Sequence, residues 1–410
     1  MKYRKLLELY KAGQLTEAQS RTIEDDIEKQ EAISEYLAEA EEALEIELPE
    51  ISEDSSAADF AKEIQRSIRK AFLKLGIVIL SLTLIITLFI QFALPDIVSS
   101  FYYQPDQIIG KTEFSETNRI SSDIAVYTEL AIPGYQRDTV RVTDRGYGNY
   151  DITINQTSTL TNRFSDLSGK IEKGKLTLYS NSFLRPPAVN TFGWFDANRT
   201  DESSKFSAKK KLSEILPAAD VKNDRSISRD EVSKMNSGDL YLAYITLDRQ
   251  MPYEDFIRWT TEHISYTGNL WCAPRTSGSD YPANLGFYYN PSSSQDLSWD
   301  HKAYPNLFTW DTGSDMTDTD VDALRDKMGT EDFMKTHFTS MLRYIADNDE
   351  FRGLLDSASL EISTDCNQAA EYVEKNGLLI YGFAAVVKKE DAQRILKADN
   401  TYSISVTELV

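Results

Sequence analysis

Three groups of side chains in this 410-residue chain have types and spacings that invite a chemical reading. The first is Asp220–Glu231, DVKNDRSISRDE, where Asp220, Asp224, Ile227 and Glu231 fall at the first, fifth, eighth and twelfth places of an EF-hand calcium loop. Such a loop needs an oxygen ligand at its third place and a glycine at its sixth; Lys222 and Arg225 stand there instead. Both departures bring positive charge next to the cation. Asp220, Asp224 and Glu231 are therefore weak candidate ligands, and the stretch reads as a polar turn beside a helix. The second group is Asp311–Asp322, DTGSDMTDTDVD, with five carboxylates. It either holds a hard cation through oxygens or is a solvated loop in which Asp318 or Asp320 caps a helix starting near Val321. No metal or cofactor is expected.

The third group is His263, His301 and His337 with Cys272 and Cys366. The histidines have no metal or triad spacing and read as surface or satisfied core residues. No G-x-S-x-G, H-E-x-x-H or P-loop pattern occurs, so the chain is not expected to be an enzyme. The two cysteines could form a disulfide in an oxidising compartment, but sequence leaves the pairing open. Asn269–Trp310 is dense in aromatics: Trp271, Tyr281, Phe287, Tyr288, Tyr289, Trp299, Tyr304, Phe308 and Trp310. They are either a binding platform of flat rings, for a cell-wall glycan or a partner protein, or the core beneath a long loop.

What positions all of this is Leu75–Leu94, LGIVILSLTLIITLFIQFAL, twenty residues without a charge. That is the length of helix that crosses a bilayer core. Its fourteen Leu, Ile, Val and Phe residues contribute roughly −4 to −8 kcal/mol to insertion. Lys62, Arg66, Arg69, Lys70 and Lys74 precede it, whereas Asp96 and Asp106 follow it with no basic residue before Lys111. The positive-inside rule then keeps 1–74 in the cytoplasm and places the rest outside, a single-pass protein of the cell membrane. One helix cannot enclose a solute pathway. The net charge of −21 and pI near 4.7 disfavour direct nucleic-acid binding through phosphates.

The cytoplasmic part, 1–50, reads as a small all-helical module, joined by a linker and basic pre-membrane helix over 51–74. Leu6, Leu9 and Tyr10 lie on the apolar face of a short helix that Gly13 stops. Leu15 and Thr16 follow, with Gln19 at capping-box spacing. Beyond them Ile23, Ile27, Leu37 and Leu44 lie on a partial amphipathic stripe whose other side is rich in Glu and Asp. So few residues bury little core, and the segment is either a solvated acidic helix or a surface that docks on a basic, partly apolar partner. No His or Cys precedes the span, which excludes a His/Cys zinc site there.

The exported part divides into a β-rich region over 95–204 and an α+β domain over 205–410. Phe101, Tyr102 and Tyr103 follow the span as candidate headgroup anchors. Ser122–Leu130 and Asp151–Ile154 alternate as half-buried strands do, and Lys173-Gly174 reads as a hairpin turn. Farther on, strand Leu240–Leu247, helix Met251–Glu262 and strand Ile264–Trp271 form one β-α-β unit. Strand Leu378–Val387, helix Lys389–Lys397 and strand Tyr402–Glu408 form a second, with helices at Glu331–Leu355 and Asp365–Lys375 between them. The fold class is thus α+β, with a repeated β-α-β architecture outside the membrane.

The N-terminal stretch LLELYKAGQLTEAQSRTIEDDIEKQEAISEYL resembles the N-terminal domain of membrane anti-sigma factors. Lacking the His and Cys ligands of the zinc-binding branch, it is closer to the zinc-free sigma-factor regulator family of Gram-positive bacteria. YLAYITLDRQMPYEDFIRW, ISYTGNLWCAP and YVEKNGLLIYGFAAVVKKEDAQRILKADNTYSISVTELV resemble the C-terminal domain of the same family. The resemblance implies an extracytoplasmic-function sigma factor held by 1–50, with Leu6, Leu9, Tyr10, Leu15, Ile23, Ile27, Leu37 and Leu44 as candidate contacts. It also implies signal sensing outside, through envelope state, a second membrane protein or a cell-wall component. The competing reading is a cell-envelope ligand-binding or scaffold protein with a cytoplasmic docking tail.

Overall fold

The computed structural model describes 57–111, 116–158, 164–179, 225–265, 270–278, 285–289, 297–309, 318–358, 360, 362 and 364–408. Of the N-terminal segment it describes 10–12, 20, 23–24, 27–29 and 31–35. The chain falls into two compact units, Met1–Leu94 and Pro95–Val410.

Helix α1 runs over Ala57–Leu88, a five-residue π-helical stretch follows at Phe89–Ala93, and α2 covers Leu94–Ser99. The π stretch sits just before Pro95, which has no N–H to return to the preceding turn. There the N–H of Leu94 reaches back to the carbonyl of Phe89, a wider ring of the kind that marks helix irregularities beside proline. The hydroxyls of Thr83 and Thr87 donate to the carbonyls of Ile79 and Thr83, each at 2.8 Å. They therefore cost little in an apolar surrounding. Ile64–Ser99 is long and apolar enough to cross a membrane, with a mean hydropathy of 2.6 in its best window and none of that window buried.

The second unit begins with a short ribbon, β1 (Ile108–Lys111) against β2 (Glu116–Asn118), and then helix α3 over Arg119–Ala131. The expected strand at Ser122–Leu130 lies inside this helix. Its residues from Ile120 to Leu130 are all buried, so no polar face marks a helical period, and the local alternation of types misleads. The start is fixed by Asn118, whose side chain accepts the N–H of Ser121 at 3.0 Å. An antiparallel meander follows: β3 (Tyr135–Gly146), β4 (Asn149–Ser158), β5 (Phe164–Glu172) and β6 (Lys175–Leu178). Asp151–Ile154 lies in β4, which buries Tyr150, Ile152, Ile154 and Gln156 on one face. Lys173 and Gly174 turn β5 into β6 with φ of 51° and 75°, the two positive values a two-residue hairpin loop requires.

Helix α4 (Arg225–Lys234) leads to β7 (Tyr241–Pro252), α5 (Tyr253–His263), β8 (Leu270–Pro274) and β9 (Phe287–Tyr289). Helices α6 (Asp318–Met328), α7 (Glu331–Asp347), α8 (Asp349–Ser357) and α9 (Cys366–Asn376) come next, then β10 (Leu379–Val387), α10 (Lys389–Lys397) and β11 (Thr401–Glu408). The five strands form one sheet in the order β11-β7-β10-β8-β9, antiparallel at every step. Both expected β-α-β units are present and they interleave. Strand β10 lies between β7 and β8, and β7 lies between β10 and β11, the arrangement of a split β-α-β sandwich. Two expected elements shift. The strand expected from Ile264 begins at Leu270, because Ile264 caps the end of α5, and the helix expected over Glu331–Leu355 breaks at Asn348.

Helix α4 covers the outer edge of β11. Ser228 Oγ accepts the N–H of Ile404 at 2.9 Å, and Glu231 Oε2 accepts that of Val406 at 3.1 Å. Side chains one helical turn apart thus satisfy amides two residues apart on the strand, closing an edge that would otherwise invite pairing.

Gly286, just before β9, has no room for a side chain: a Cβ there would run into the carbonyl oxygen of Cys272 and the indole of Trp271. Gly286→Ala should lower the unfolding free energy by about 2 kcal/mol or more. Gly278→Ala, where nothing lies within 4 Å, should change it by less than about 0.5 kcal/mol. Denaturant titration of the full chain in detergent, followed by tryptophan fluorescence, separates the two; equal effects would contradict the packing described.

Candidate functional site

In the N-terminal unit the described part of the segment is helical at 10–11, 20, 23–24, 27–29 and 31–35. Ile23 is buried at 3% exposure, and Tyr10, Ile27 and Ile33 are half-buried. Glu24, Glu28, Glu31 and Glu35 are exposed, at intervals of four, three and four, which place them along one face. Tyr10 donates its hydroxyl to Glu24 Oε1 at 3.0 Å, tying the first helical stretch to the second. That carboxylate also raises the pKa of the tyrosine. Ile23 is therefore packed into the module, and among the described residues the glutamate stripe is exposed. Leu6, Leu9, Leu15, Leu37 and Leu44 lie outside the described residues.

The second unit has its polar centre on α3. Asp123 is fully buried, and its carboxylate accepts from Tyr103 Oη at 2.5 Å, Tyr344 Oη at 2.7 Å and Asn348 Nδ2 at 2.7 Å. Arg119, one turn earlier, holds its Nε 3.9 Å from Asp123. Its other nitrogens donate to Asn348 Oδ1 at 2.6 Å and Glu350 at 2.7 Å, and its guanidinium lies 4.9 Å over the Tyr103 ring. Burial pushes the Asp123 pKa up to about 6, against the pull of these donors and of Arg119. Burial, and then the Asp123 charge, drive the phenols of Tyr103 and Tyr344 well above their usual range. Of the aromatic trio expected at the headgroups, Phe101 is exposed, but Tyr102 is half-buried and Tyr103 is in the core. Tyr103 is drawn inward because it supplies a donor that Asp123 needs.

The far end of α3 repeats the device. Glu129 Oε1 accepts the N–H of Tyr288 at 3.0 Å and lies 2.9 Å from His337 Nε2, while His337 Nδ1 faces the Asn306 carbonyl at 2.7 Å. Both ring nitrogens thus meet oxygen atoms of the protein, which fixes the plane of the ring. Trp271 donates its indole N–H to the Glu129 carbonyl at 2.7 Å. Arg137 of β3 is buried, donates to Gln156 at 2.7 Å and Thr128 at 3.3 Å, and has its pKa lowered by burial to about 10. These groups position elements; they are packed rather than open to a substrate. The signal that could have found them is a run of apolar residues, IAVYTEL, flanked and interrupted by Asp123 and Glu129.

The other candidates resolve individually. Arg225–Lys234 is helical, so places six to twelve of the EF-hand-like spacing are wound into α4 and cannot wrap a cation. Glu231 is spent on β11, while Asp220 and Asp224 lie outside the described residues. Helix α6 begins at Asp318, and 311–317 lie outside the described residues. Among the described residues no group of three or more His, Cys, Asp or Glu is placed to hold a metal. His263 stacks on Trp259 and His301 on Trp299. Cys272 and Cys366 are both free and buried. Burial raises both thiol pKa values, that of Cys366 to about 11, which leaves them poor nucleophiles. Trp271, Phe287, Tyr288, Tyr289, Trp299 and Phe308 are buried and Tyr304 is half-buried against them, so the described aromatics of this stretch form core; Tyr281 and Trp310 lie outside the described residues.

Comparison with known proteins finds no match. No family model, no curated protein and no solved structure matches this chain.

Asp123 gives the unit a pH signature. Its folded pKa of about 6 stands above the ordinary carboxylate value of 3.8. Its contribution is therefore full below about pH 4 and lost as pH rises through about 6, a change of order 3 kcal/mol. Asp123→Asn should remove this slope, so that the wild type loses about 3 kcal/mol relative to the variant between about pH 4 and 6 and the two run parallel above about 7. Parallel curves throughout would show that Asp123 titrates alike in both states.

Proposed function

We propose that the chain is a membrane-anchored anti-sigma factor, with 1–74 in the cytoplasm, Leu75–Leu94 crossing the membrane and Pro95–Val410 outside. The observation that carries the reading is the exposed stripe Glu24, Glu28, Glu31 and Glu35 on a helical segment N-terminal to the apolar helix. A sigma factor must offer basic surfaces to promoter phosphates, and a row of carboxylates at helical spacing competes for such surfaces. Holding that partner at the bilayer keeps it from polymerase without any catalytic step. The cation excess before the apolar stretch, and its absence after it, supports the orientation.

The outer unit then receives the signal, from envelope state, a second membrane protein or a cell-wall component. A single helix transmits tilt, rotation or release, and the path from Ser99 along the chain to Tyr103 and across its hydrogen bond to Asp123 is short. The partner class is an extracytoplasmic-function sigma factor.

The test uses the full chain in detergent as bait in native lysate, beside Glu28→Lys/Glu31→Lys/Glu35→Lys. All three side chains are exposed, so the variant should keep its fold, whereas replacing buried Ile23 would not. Capture of one sigma factor, identified by mass spectrometry and reduced at least tenfold in the variant, is expected for a charge-dominated interface. Capture of no sigma factor at any ionic strength would overturn the reading in favour of an envelope-binding or scaffold protein.

A further inference from the structure

The last three turns before the apolar stretch carry a second pattern, of opposite sign. Arg66, Arg69, Lys70 and Lys74 are all exposed on α1, and no acidic residue occurs between Ile64 and Pro95. At about 100° per residue the four cations fall within roughly 140° of the helix circumference. The remaining arc carries Ile64, Ile68 and Phe72, at 37%, 48% and 69% exposure. A cationic face beside an apolar face, on one unbroken helix that runs into a membrane-crossing stretch, fits the zone where headgroups meet acyl chains.

Distance decides which cations can act there. Lys74 adjoins Leu75, the first residue of the uncharged stretch. At about 1.5 Å per residue, Lys70 and Arg69 lie about 6 and 8 Å farther along the axis and Arg66 about 12 Å. The first three fall within one Debye length of a charged surface at physiological salt, about 8 Å, and the reach of the arginine side chain brings Arg66 to its edge. We propose that this face binds the headgroups of anionic phospholipids, so that the pre-membrane helix selects the lipid around it. The inference rests on the apolar helix spanning a bilayer and is independent of any sigma-factor partner.

The test reconstitutes the full chain into vesicles of phosphatidylcholine and phosphatidylglycerol in equal amounts. Spin-labelled lipids of each type report the fraction immobilised at the protein, against Arg66→Gln/Arg69→Gln/Lys70→Gln/Lys74→Gln. Glutamine keeps the helix propensity and removes the charge. Phosphatidylglycerol should be preferred about threefold or more at low salt, falling towards unity in 1 M salt, where the Debye length is about 3 Å, and in the variant. Arg66→Lys/Arg69→Lys should retain the preference, since charge rather than guanidinium geometry sets it. Absence of selectivity at low salt, selectivity unchanged by salt, or selectivity equal in wild type and the glutamine variant would each overturn the proposal.

Discussion

Burying charge on a helix that has no solvent face constrains the whole second unit. Arg119, Asp123 and Glu129 sit on α3, where water is replaced by protein on almost every side. A buried charge left without partners costs several kcal/mol, so each must be met by donors or acceptors from the layers around it. Those partners come from the turn after α2, from β9, from α7 and from the break at Asn348. Apolar packing alone would tolerate sliding of the meander against the split sheet, because methyl groups have no directional demands. Hydrogen bonds at both ends of α3 do not tolerate it, and they fix where the helix lies along its axis and about it.

The same constraint explains the breaks in regular structure. Helix α7 stops at Asp347, and Asn348 leaves helical geometry with its side chain accepting from Phe351 N–H, Arg119 and donating to Asp123. One amide group thus ends a helix, starts the next and satisfies two buried charges. A continuous helix through this point would hold the Asn348 side chain at a different angle and leave Asp123 short of a donor.

Much of the sheet was legible in the sequence because its signals are local. The Lys173-Gly174 turn, the two β-α-β units and α9 all follow from periodicity, capping and turn chemistry within a dozen residues. Interleaving of the two units is not local: β10 enters between β7 and β8 from more than a hundred residues away. Helix α3 was misread for a related reason, since burial on all sides removes the polar face on which helical periodicity depends. The partners of Asp123 lie as far off as Asn348, and no spacing rule connects them. The calcium-loop spacing lacks an oxygen at Lys222 and a glycine at Arg225, and α4 winds up from Arg225. On the N-terminal helix the stripe of isoleucines was legible, but not that Ile23 is spent on the module itself. An apolar residue inside and an apolar residue awaiting a partner look alike in sequence; exposed glutamates do not carry that ambiguity.

The first unit carries acidic and basic stripes of similar helical spacing, Glu24 to Glu35 and Arg66 to Lys74. Left to themselves, two such stripes would attract. Pairing would hide the carboxylates from any basic partner. An anionic lipid surface offers the cations a denser and better hydrated counter-charge at the place the apolar helix already fixes them. It would thereby leave the glutamate face open. On the proposed reading, the membrane does more than tether the module: by occupying the basic stripe it keeps the acidic one available, and the composition of the inner leaflet would set how much of the protein is competent to hold its partner.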